Sequence, residues 1–221
     1  MKTGFFSGMA LFLMLMTGFP AVAAAAGDDP MTTIKGPIDQ VISTLNDPQY
    51  KPADKRIVQR ENIWKAVLPI FDFTEISRRT VGRHWTRFTE AEKTEFSDIF
   101  SRFLSNIYID KIQSEYHDEE ITYVEQNFHK DTYAEVKTLI LRQTTQIPVN
   151  YRLIRNEDGQ WKVYDIIVEG VSLVNNYRTQ FATILQKNKP AELIRTLHEK
   201  VAEQQKQGPN TDNSAIGKPE K

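Results

Sequence analysis

Alternating apolar and polar positions characterise the second half of the chain. A half-buried strand directs every second side chain into the core, and this spacing occurs at Ile147, Val149, Tyr151 and Leu153. Turn-forming residues follow at 156–159. The next segment, 161–168, carries apolar residues at both parities. Because a strand that is apolar on both faces must be covered on both, this pattern predicts an apolar interior larger than an ordinary core.

Apolar residues at helical spacing precede this region. The intervals i, i+3, i+4 and i+7 predict a first helix over residues 36–46, and a second apolar stripe is stopped by Pro69. Capping-box patterns begin at Asp72 and at Thr89, so each residue is predicted to open a helix. The second of these helices has the longest apolar stripe in the chain, comprising Phe96, Ile99, Phe100, Phe103, Leu104, Ile107, Tyr108 and Ile112.

The remaining elements complete an α+β pattern. Strands are predicted near residues 120–128, 132–144, 147–155 and 161–169, joined by connections short enough for an antiparallel meander. Ser172 is predicted to cap the next helix, and Pro190 to begin the last one. The sequence therefore predicts an antiparallel four-stranded sheet with helices around it.

The two ends of the chain differ from this central domain. Residues 1–26 combine Lys2, an apolar run and several alanines in A-x-A order, which predicts a cleaved secretory signal peptide. A membrane anchor is the alternative, but the apolar run is short for a span of about 20 residues. Residues 27–206 are predicted to form one domain. Residues 207–221 lack apolar periodicity and are predicted to be a disordered tail.

Composition narrows the possible functions. The chain has 28 basic and 29 acidic side chains, whereas a nucleic-acid-binding protein would show a basic footprint. It contains no cysteine, so an exported form must be held together by its core without disulfides. The 4 histidines show no metal-binding spacing, and no glycine-rich phosphate loop is present. We predict neither a metal nor a cofactor.

Two residues in or next to the last predicted strand are candidate catalytic residues. Ser172 lies in a G-x-S context between a strand and a helix, but the closing glycine of a nucleophile elbow is replaced by Val174. A helix N-cap is the simpler interpretation of Ser172. Asp165 shares strand parity with Trp161, Val163 and Ile167, so it is predicted to point inward. It could act as a general base, or it could be a structural carboxylate bound to backbone N–H groups or an arginine.

The ordered series of motifs resembles the MlaC family of periplasmic phospholipid-shuttle proteins, also called toluene-tolerance auxiliary components. The similarity extends from about Ile34 to Val201. One departure is Asn150, where the family usually has aspartate. The matching segments are 71–73, 76–78, 82–85, 147–153, 161–174, 176–178 and 180–181, together with Phe96, Phe100 and 104–108.

The resemblance implies a fold of the nuclear-transport-factor-2 or cystatin-like group, with a cavity that encloses the acyl chains of a phospholipid. It implies a periplasmic carrier that moves lipid between an outer-membrane lipoprotein–porin complex and an inner-membrane ABC transporter with an MCE-type substrate-binding component. In this account the carrier maintains the lipid asymmetry of the outer membrane. The phospholipid would be cargo, and nucleic acid would not be a partner.

The apolar pattern and the resemblance together select candidate residues for the lipid-contacting wall. They come from the longest helix, the last two strands and the helix after Ser172. The choice on the final strand follows the parity of Val163, although Tyr164, Ile166 and Val168 at the opposite parity are equally apolar. The candidates are Phe100, Phe103, Leu104, Tyr108, Val149, Tyr151, Val163, Ile167, Leu173, Tyr177 and Phe181.

Two other functions fit the residues less completely. Related cone-shaped sheets host isomerases and dehydratases, and Asp165 with Tyr151 or Tyr177 could supply a base and its partner. An interaction module with a filled interior is the third possibility. Bound phospholipid would favour the carrier over both alternatives.

Overall fold

Residues 29–207 are described by the computed structural model, and they form the predicted α+β architecture. The predicted signal peptide and nearly all of the predicted tail lie outside these residues. The helices are α1 (Pro30–Asn46), α2 (Arg56–Val67), α3 (Phe73–Val81), α4 (Glu90–Glu115), α5 (Leu173–Lys187) and α6 (Pro190–Gln207). The strands are β1 (Glu120–His129), β2 (Tyr133–Leu141), β3 (Gln146–Arg155), β4 (Trp161–Val168) and β5 (Val171–Ser172). Within residues 29–207, no helix has both the length and the apolar character of a membrane span.

Helix α1 begins earlier than predicted, at Pro30 rather than near residue 36. The Asp29 carboxylate accepts a 2.9 Å hydrogen bond from the Thr32 backbone N–H, which satisfies a donor that the first helical turn leaves open. Pro30 fits the first turn because it has no N–H to satisfy. The first turn is mostly polar, so the spacing of apolar residues does not reveal where α1 begins. Ile34, which follows this turn, is fully buried.

Four predicted helix starts are confirmed. Thr89 and Glu92 form a complete capping box at α4. Asp72 caps α3 by accepting a 2.8 Å hydrogen bond from the Glu75 backbone N–H. The Glu75 side chain turns instead to Arg78 and Arg79, so this capping box is only half formed. Ser172 caps α5 as predicted, and α6 begins at Pro190.

Within residues 29–207 the sheet contains five strands in the order β1-β2-β3-β4-β5, one more than predicted. All neighbouring strands are antiparallel, as expected for a meander. The additional strand, β5, has two residues and pairs with the end of β4 after a turn in which Gly170 has φ +82°. Glycine adopts this conformation without the steric penalty of a Cβ. A strand this short has too few residues to show a period in sequence.

A β-bulge in β4 changes which side chains share a face. Tyr151 pairs with Ile166 and Leu153 pairs with Val163, so Tyr164 is an extra residue on β4. Directly paired residues direct their side chains to the same side of a sheet. Val163 and Ile166 therefore lie on one face. Arg152 pairs with Asp165, which places the Asp165 carboxylate on the opposite face of the sheet.

The prediction that Asp165 and Ile167 share a face with Val163 is thus wrong. An extra residue reverses the alternation for every position beyond it. Ile167 pairs with Asn150 and Ser172, on the same side as Asp165. No signal in the sequence marks the bulge, because apolar residues occupy both parities of this strand.

In the described part of the chain, the apolar interior consists of three clusters. The first lies among α3, α4, α5 and α6 and is rich in phenylalanine. The second joins α1 to β2, β3 and β4 through Ile34, Ile38, Val136, Leu153 and Val163. The third lies where α1, α2 and α4 meet. Phe71 packs against both the first and the second cluster, and Ile42 against both the second and the third. Half-buried apolar residues thus occupy the junctions of a divided core.

Candidate functional site

The predicted wall residues from the helices lie together. Phe100, Phe103, Tyr177 and Phe181 all belong to the first cluster and are almost completely buried. The ring centroids of Phe100 are 5.1 Å from Tyr177 and 5.2 Å from Phe181, both in edge-to-face geometry. Such aromatic pairs contribute stability beyond the apolar area they bury. This arrangement holds α4 firmly against α5.

Three further helix residues lie toward the edge of this cluster. Leu104 is buried within it, and Leu173 packs against it while remaining half-buried. Tyr108, one turn beyond Leu104 on α4, is 36% exposed. The exposed fraction therefore rises along this face of α4 from Phe100 and Phe103 to Tyr108. The end of the cluster near Tyr108 thus lies close to the protein surface.

The predicted strand residues divide between the two faces of the sheet. Val149, Tyr151 and Val163 lie on the face that α1 covers, since Val149 and Tyr151 pair with Thr138 and Val136. Ile167 lies on the opposite face because of the bulge at Tyr164. The structure therefore places three of the four strand candidates on the face that α1 covers, whereas Ile167 is buried on the other face.

Residues that the sequence argument did not select complete the α1-facing surface. Ile166 shares the face of Tyr151 and packs against the second cluster. Ile34 and Ile38 of α1 cover the same face, and Ile42 lies one turn further along that helix. In the sequence, Ile166 has the opposite parity to Val163, so a regular alternation along β4 places the two residues on different faces. The periodicity of α1 predicted that Ile38 and Ile42 face inward, but not which surface they cover.

Three tyrosine hydroxyls add polar atoms to the predicted wall. Burial raises the pKa of Tyr151 to about 12, although its ring remains half-buried. Burial also raises the pKa of Tyr108 and that of Tyr177, and the neighbouring Tyr108 phenol raises the latter further. All three hydroxyls therefore stay protonated at neutral pH and can donate hydrogen bonds.

Asp165 has the environment of a structural carboxylate. It accepts hydrogen bonds from the Ser172 hydroxyl at 2.7 Å and from the Val174 backbone N–H at 3.0 Å. A guanidinium nitrogen of Arg152 lies 3.5 Å from the same carboxylate. Buried polar groups require such partners, and these contacts tie β3 and β4 to the N-terminus of α5. Asp165 also lies on the sheet face opposite Tyr151, so these two residues are not arranged as a base and its partner.

Two open depressions lie away from the predicted wall. One, of about 490 Å³, lies between α1 and the start of β1 and includes Asp39, Asn46 and Tyr116. The other, of about 450 Å³, lies over the outer face of the sheet and includes Arg79 and Tyr164. Neither contains a residue predicted for the lipid-contacting wall. Among residues 29–207, no group of three or more acidic or histidine side chains could hold a metal ion.

These features define a class of protein: an α+β domain in which one antiparallel sheet and a set of helices surround a divided apolar interior. The family model for the MlaC protein matches residues 35–199. That match spans most of the chain, so the protein belongs to the MlaC family, and the resemblance inferred from its motifs is confirmed.

Two similar proteins extend the comparison. The toluene tolerance protein Ttg2D of Pseudomonas putida is 28% identical over 180 residues, which cover 80% of this chain and 81% of that protein. A phospholipid-binding protein from Ralstonia solanacearum, whose structure contains a phospholipid, matches with a TM-score of 0.69 and 24% identity. The match covers 80% of this chain and 99% of the Ralstonia chain. At this identity the likeness shows a common fold.

Proposed function

We propose that this protein is a periplasmic phospholipid carrier. The observation that carries the proposal is the divided apolar interior, in which α4 and α5 meet in one cluster while α1 and the sheet meet in another. A domain of this size usually has one contiguous core. Half-buried apolar side chains at the edges of these clusters, Leu173 on the first and Tyr151 and Ile166 on the second, provide surface against which acyl chains can pack.

Family membership and the lipid-bound Ralstonia structure support this assignment. That structure has the same fold and covers most of this chain, so a lipid site in the corresponding interior is compatible with the architecture seen here. The predicted signal peptide supports export to the periplasm. The contacts of Asp165 favour a structural role and give no support to the isomerase or dehydratase alternative.

The energetics of acyl-chain burial explain why a carrier would need partners. Each methylene removed from water contributes about 0.8 kcal/mol, so two long acyl chains would almost never escape into water unaided. Moving from the bilayer into an apolar protein interior exchanges one apolar environment for another and has a much smaller net free energy. Loading and release therefore require direct contact with a membrane or with a protein bound to it.

The expected donors and acceptors are envelope complexes. We infer exchange with an outer-membrane lipoprotein–porin complex and with an inner-membrane ABC transporter that carries an MCE-type substrate-binding component. Such exchange would help maintain the lipid asymmetry of the outer membrane. This part of the proposal rests on membership of the MlaC family.

Lipid occupancy tests the proposal directly. The full-length precursor is expressed in a Gram-negative host, and the mature protein is purified from the periplasm without detergent. Native mass spectrometry should show a species heavier than the protein by the mass of one diacyl phospholipid. Organic extraction should recover that lipid in near-stoichiometric amount.

A periplasmic protein of similar size that does not bind lipid, purified in parallel, controls for lipid carried over from membranes. Folded protein that contains no more lipid than this control, and takes none up from vesicles, would contradict the carrier assignment. Such a result would favour an enzyme or an interaction module with a filled interior.

A further inference from the structure

Helix α2 has an exposed apolar side in addition to the side that it buries. Ile63 belongs to the third cluster and Val67 packs against it. Ile57, Trp64 and Leu68 follow at positions i, i+7 and i+11, which share one side of a helix, and we call them the α2 stripe. Ile57 is 68% exposed, Leu68 is 40% exposed and Trp64 is half-buried. Exposed apolar residues that repeat along one side of a helix are typical of a surface that binds a partner or a membrane.

The charge around the α2 stripe fits an anionic partner. Residues 51–68 carry five basic side chains and two acidic ones, which are Lys51, Lys55, Arg56, Arg60 and Lys65 against Asp54 and Glu61. Arg60 is bound to Asp110 within the protein, whereas all three lysines are exposed. The segment therefore has a local positive charge, although the formal net charge of the whole chain is −1.

A bilayer that contains anionic phospholipid offers both properties that α2 requires. Helices that lie in the bilayer interface direct apolar side chains toward the acyl layer and basic side chains toward the lipid phosphates. Trp64 suits this position because an indole combines an apolar ring with a polar N–H. A second copy of this chain would instead bring two segments of the same charge together, which opposes association.

The α2 stripe is also continuous with the interior of the protein. The ring centroid of Trp64 lies 5.5 Å from that of Phe73, which lies 5.4 Å from that of Phe71. Phe71 packs against both the first and the second cluster. Apolar side chains thus connect the exposed side of α2 with the region proposed to accommodate acyl chains.

We propose that the α2 stripe and its flanking lysines bind the surface of a bilayer that contains anionic phospholipid, and that the carrier takes up lipid while it is bound there. Ile57 and Leu68 enter the apolar layer, and the lysines contact phosphate groups. The uptake of lipid at this contact rests on the proposed carrier function, whereas the membrane contact itself does not.

Flotation with protein-free vesicles tests the contact. The mature protein is mixed with vesicles of phosphatidylethanolamine and phosphatidylglycerol in equal amounts, or with vesicles of phosphatidylcholine alone. The protein that floats with the vesicles is then measured. We expect binding to the anionic vesicles to be at least about fivefold stronger than binding to phosphatidylcholine, since each lysine near an anionic surface contributes about this factor. Added salt should weaken the binding because it screens these charges.

Two variants with matched controls locate the contact. Ile57→Ser should weaken binding to the anionic vesicles about tenfold, because it removes an apolar side chain from the acyl layer. Val124→Ser, at a 52% exposed position on β1, should bind as the wild-type protein does. Lys65→Gln should weaken binding about fivefold. Its control is Lys187→Gln, because Lys187 lies in the last turn of α5 as Lys65 does in α2. Circular dichroism checks that each variant is folded.

The possible failures can be told apart. Wild-type protein that floats with neither kind of vesicle would overturn the membrane contact, as would folded Ile57→Ser and Lys65→Gln that bind as the wild-type protein does. A dimer that Ile57→Ser abolishes, in the absence of vesicle binding, would assign the α2 stripe to a second copy of the chain. If one variant does not fold, the other variant and the comparison of vesicles still decide.

Organic extraction of the protein recovered from the vesicles separates this inference from the carrier function. Vesicle binding by protein that never contains lipid would overturn the carrier function and leave the membrane contact standing. Lipid-loaded protein that does not bind vesicles would overturn the contact and leave the carrier function standing.

Discussion

The cluster among the helices and the cluster on the sheet are built in different ways. Between α4 and α5, the Phe181 ring packs edge to face against Phe96 and Phe100, with centroids 5.8 and 5.2 Å apart, and Phe96 and Phe100 stack on each other at 5.6 Å. On the sheet, Ile34 and Leu153 are fully buried, but several apolar neighbours, including Tyr151 and Ile166, remain half-buried. One region is closely packed, and the other retains apolar surface that is not fully covered.

This difference suggests a division of roles. The helical cluster is the rigid part of the interior because its rings constrain one another, and closely packed interiors tolerate little change in volume. The α1-facing side of the sheet is the better candidate for accommodating acyl chains. Substitutions in the first region should therefore reduce stability, whereas substitutions in the second should reduce lipid occupancy more than stability.

The largest loss of stability is expected from Phe100→Ala. Phe100 is fully buried and contacts four aromatic rings, so its removal leaves a cavity that the rigid cluster cannot close. Truncations of this kind cost about 3–5 kcal/mol. Urea unfolding followed by circular dichroism measures the effect. A loss below about 1 kcal/mol would show that the helical cluster is loosely packed and would remove the contrast with the sheet.

Asp165→Asn should have the next largest effect. The substitution removes the charge that strengthens the hydrogen bonds to Ser172 and Val174, and we expect a loss of about 1–3 kcal/mol. Ser172→Ala removes the α5 cap as well as one of these bonds, and should cost about 1 kcal/mol. Because the two residues interact, the double variant should lose less stability than the sum of the single variants. Strict additivity in urea unfolding would argue against a shared network.

Tyr151→Ala tests the sheet side of the comparison. The ring is only half-buried, so its loss should cost about 1–2 kcal/mol, less than that of Phe100. Lipid occupancy in the folded protein should fall markedly, because the ring lies on the α1-facing surface. Ile154→Ala, which removes a half-buried apolar residue from the outer face of the same strand, is the control. Equal lipid occupancy in the two variants would exclude this part of the sheet from the site.

The smallest effect concerns pH and lies outside both clusters. Burial alone would raise the pKa of Glu75, but hydrogen bonds and charge from Arg78 and Arg79 outweigh it and lower the pKa below that of a free glutamate. A lowered pKa stabilises the folded state above the pKa of the unfolded chain, and this contribution disappears as pH falls through the folded value. Glu75→Gln should therefore cost about 1 kcal/mol at pH 7 and much less near pH 3. An equal loss at both pH values would contradict the assigned ion pairs.

The sequence predicted the helices and four strands because their signals are local. Apolar spacing and the side-chain caps at Asp72, Thr89 and Ser172 each act within a few residues of the element that they define. The first turn of α1 was missed because its residues are mostly polar. Strand β5 was missed because two residues cannot display a period.

The candidate site was predictable only in part. The helix residues Phe100, Tyr177 and Phe181 follow a clear stripe, and the structure brings them together. The face of Ile167 could not be predicted, since it depends on the bulge at Tyr164 in a strand that is apolar at both parities. The separation of the core into clusters depends on distances between elements, which no local pattern encodes.

Photo-crosslinking tests most directly the central claim that acyl chains lie against the α1-facing side of the sheet. The mature protein is loaded with a phospholipid that carries a photoreactive group midway along one acyl chain, and the labelled peptides are mapped by mass spectrometry. We predict labels in β3 and β4 at residues such as Tyr151 and Ile166, and in α5 near Leu173. Labels confined to the outer face, at Tyr133, Arg152 or Tyr164, would contradict the claim.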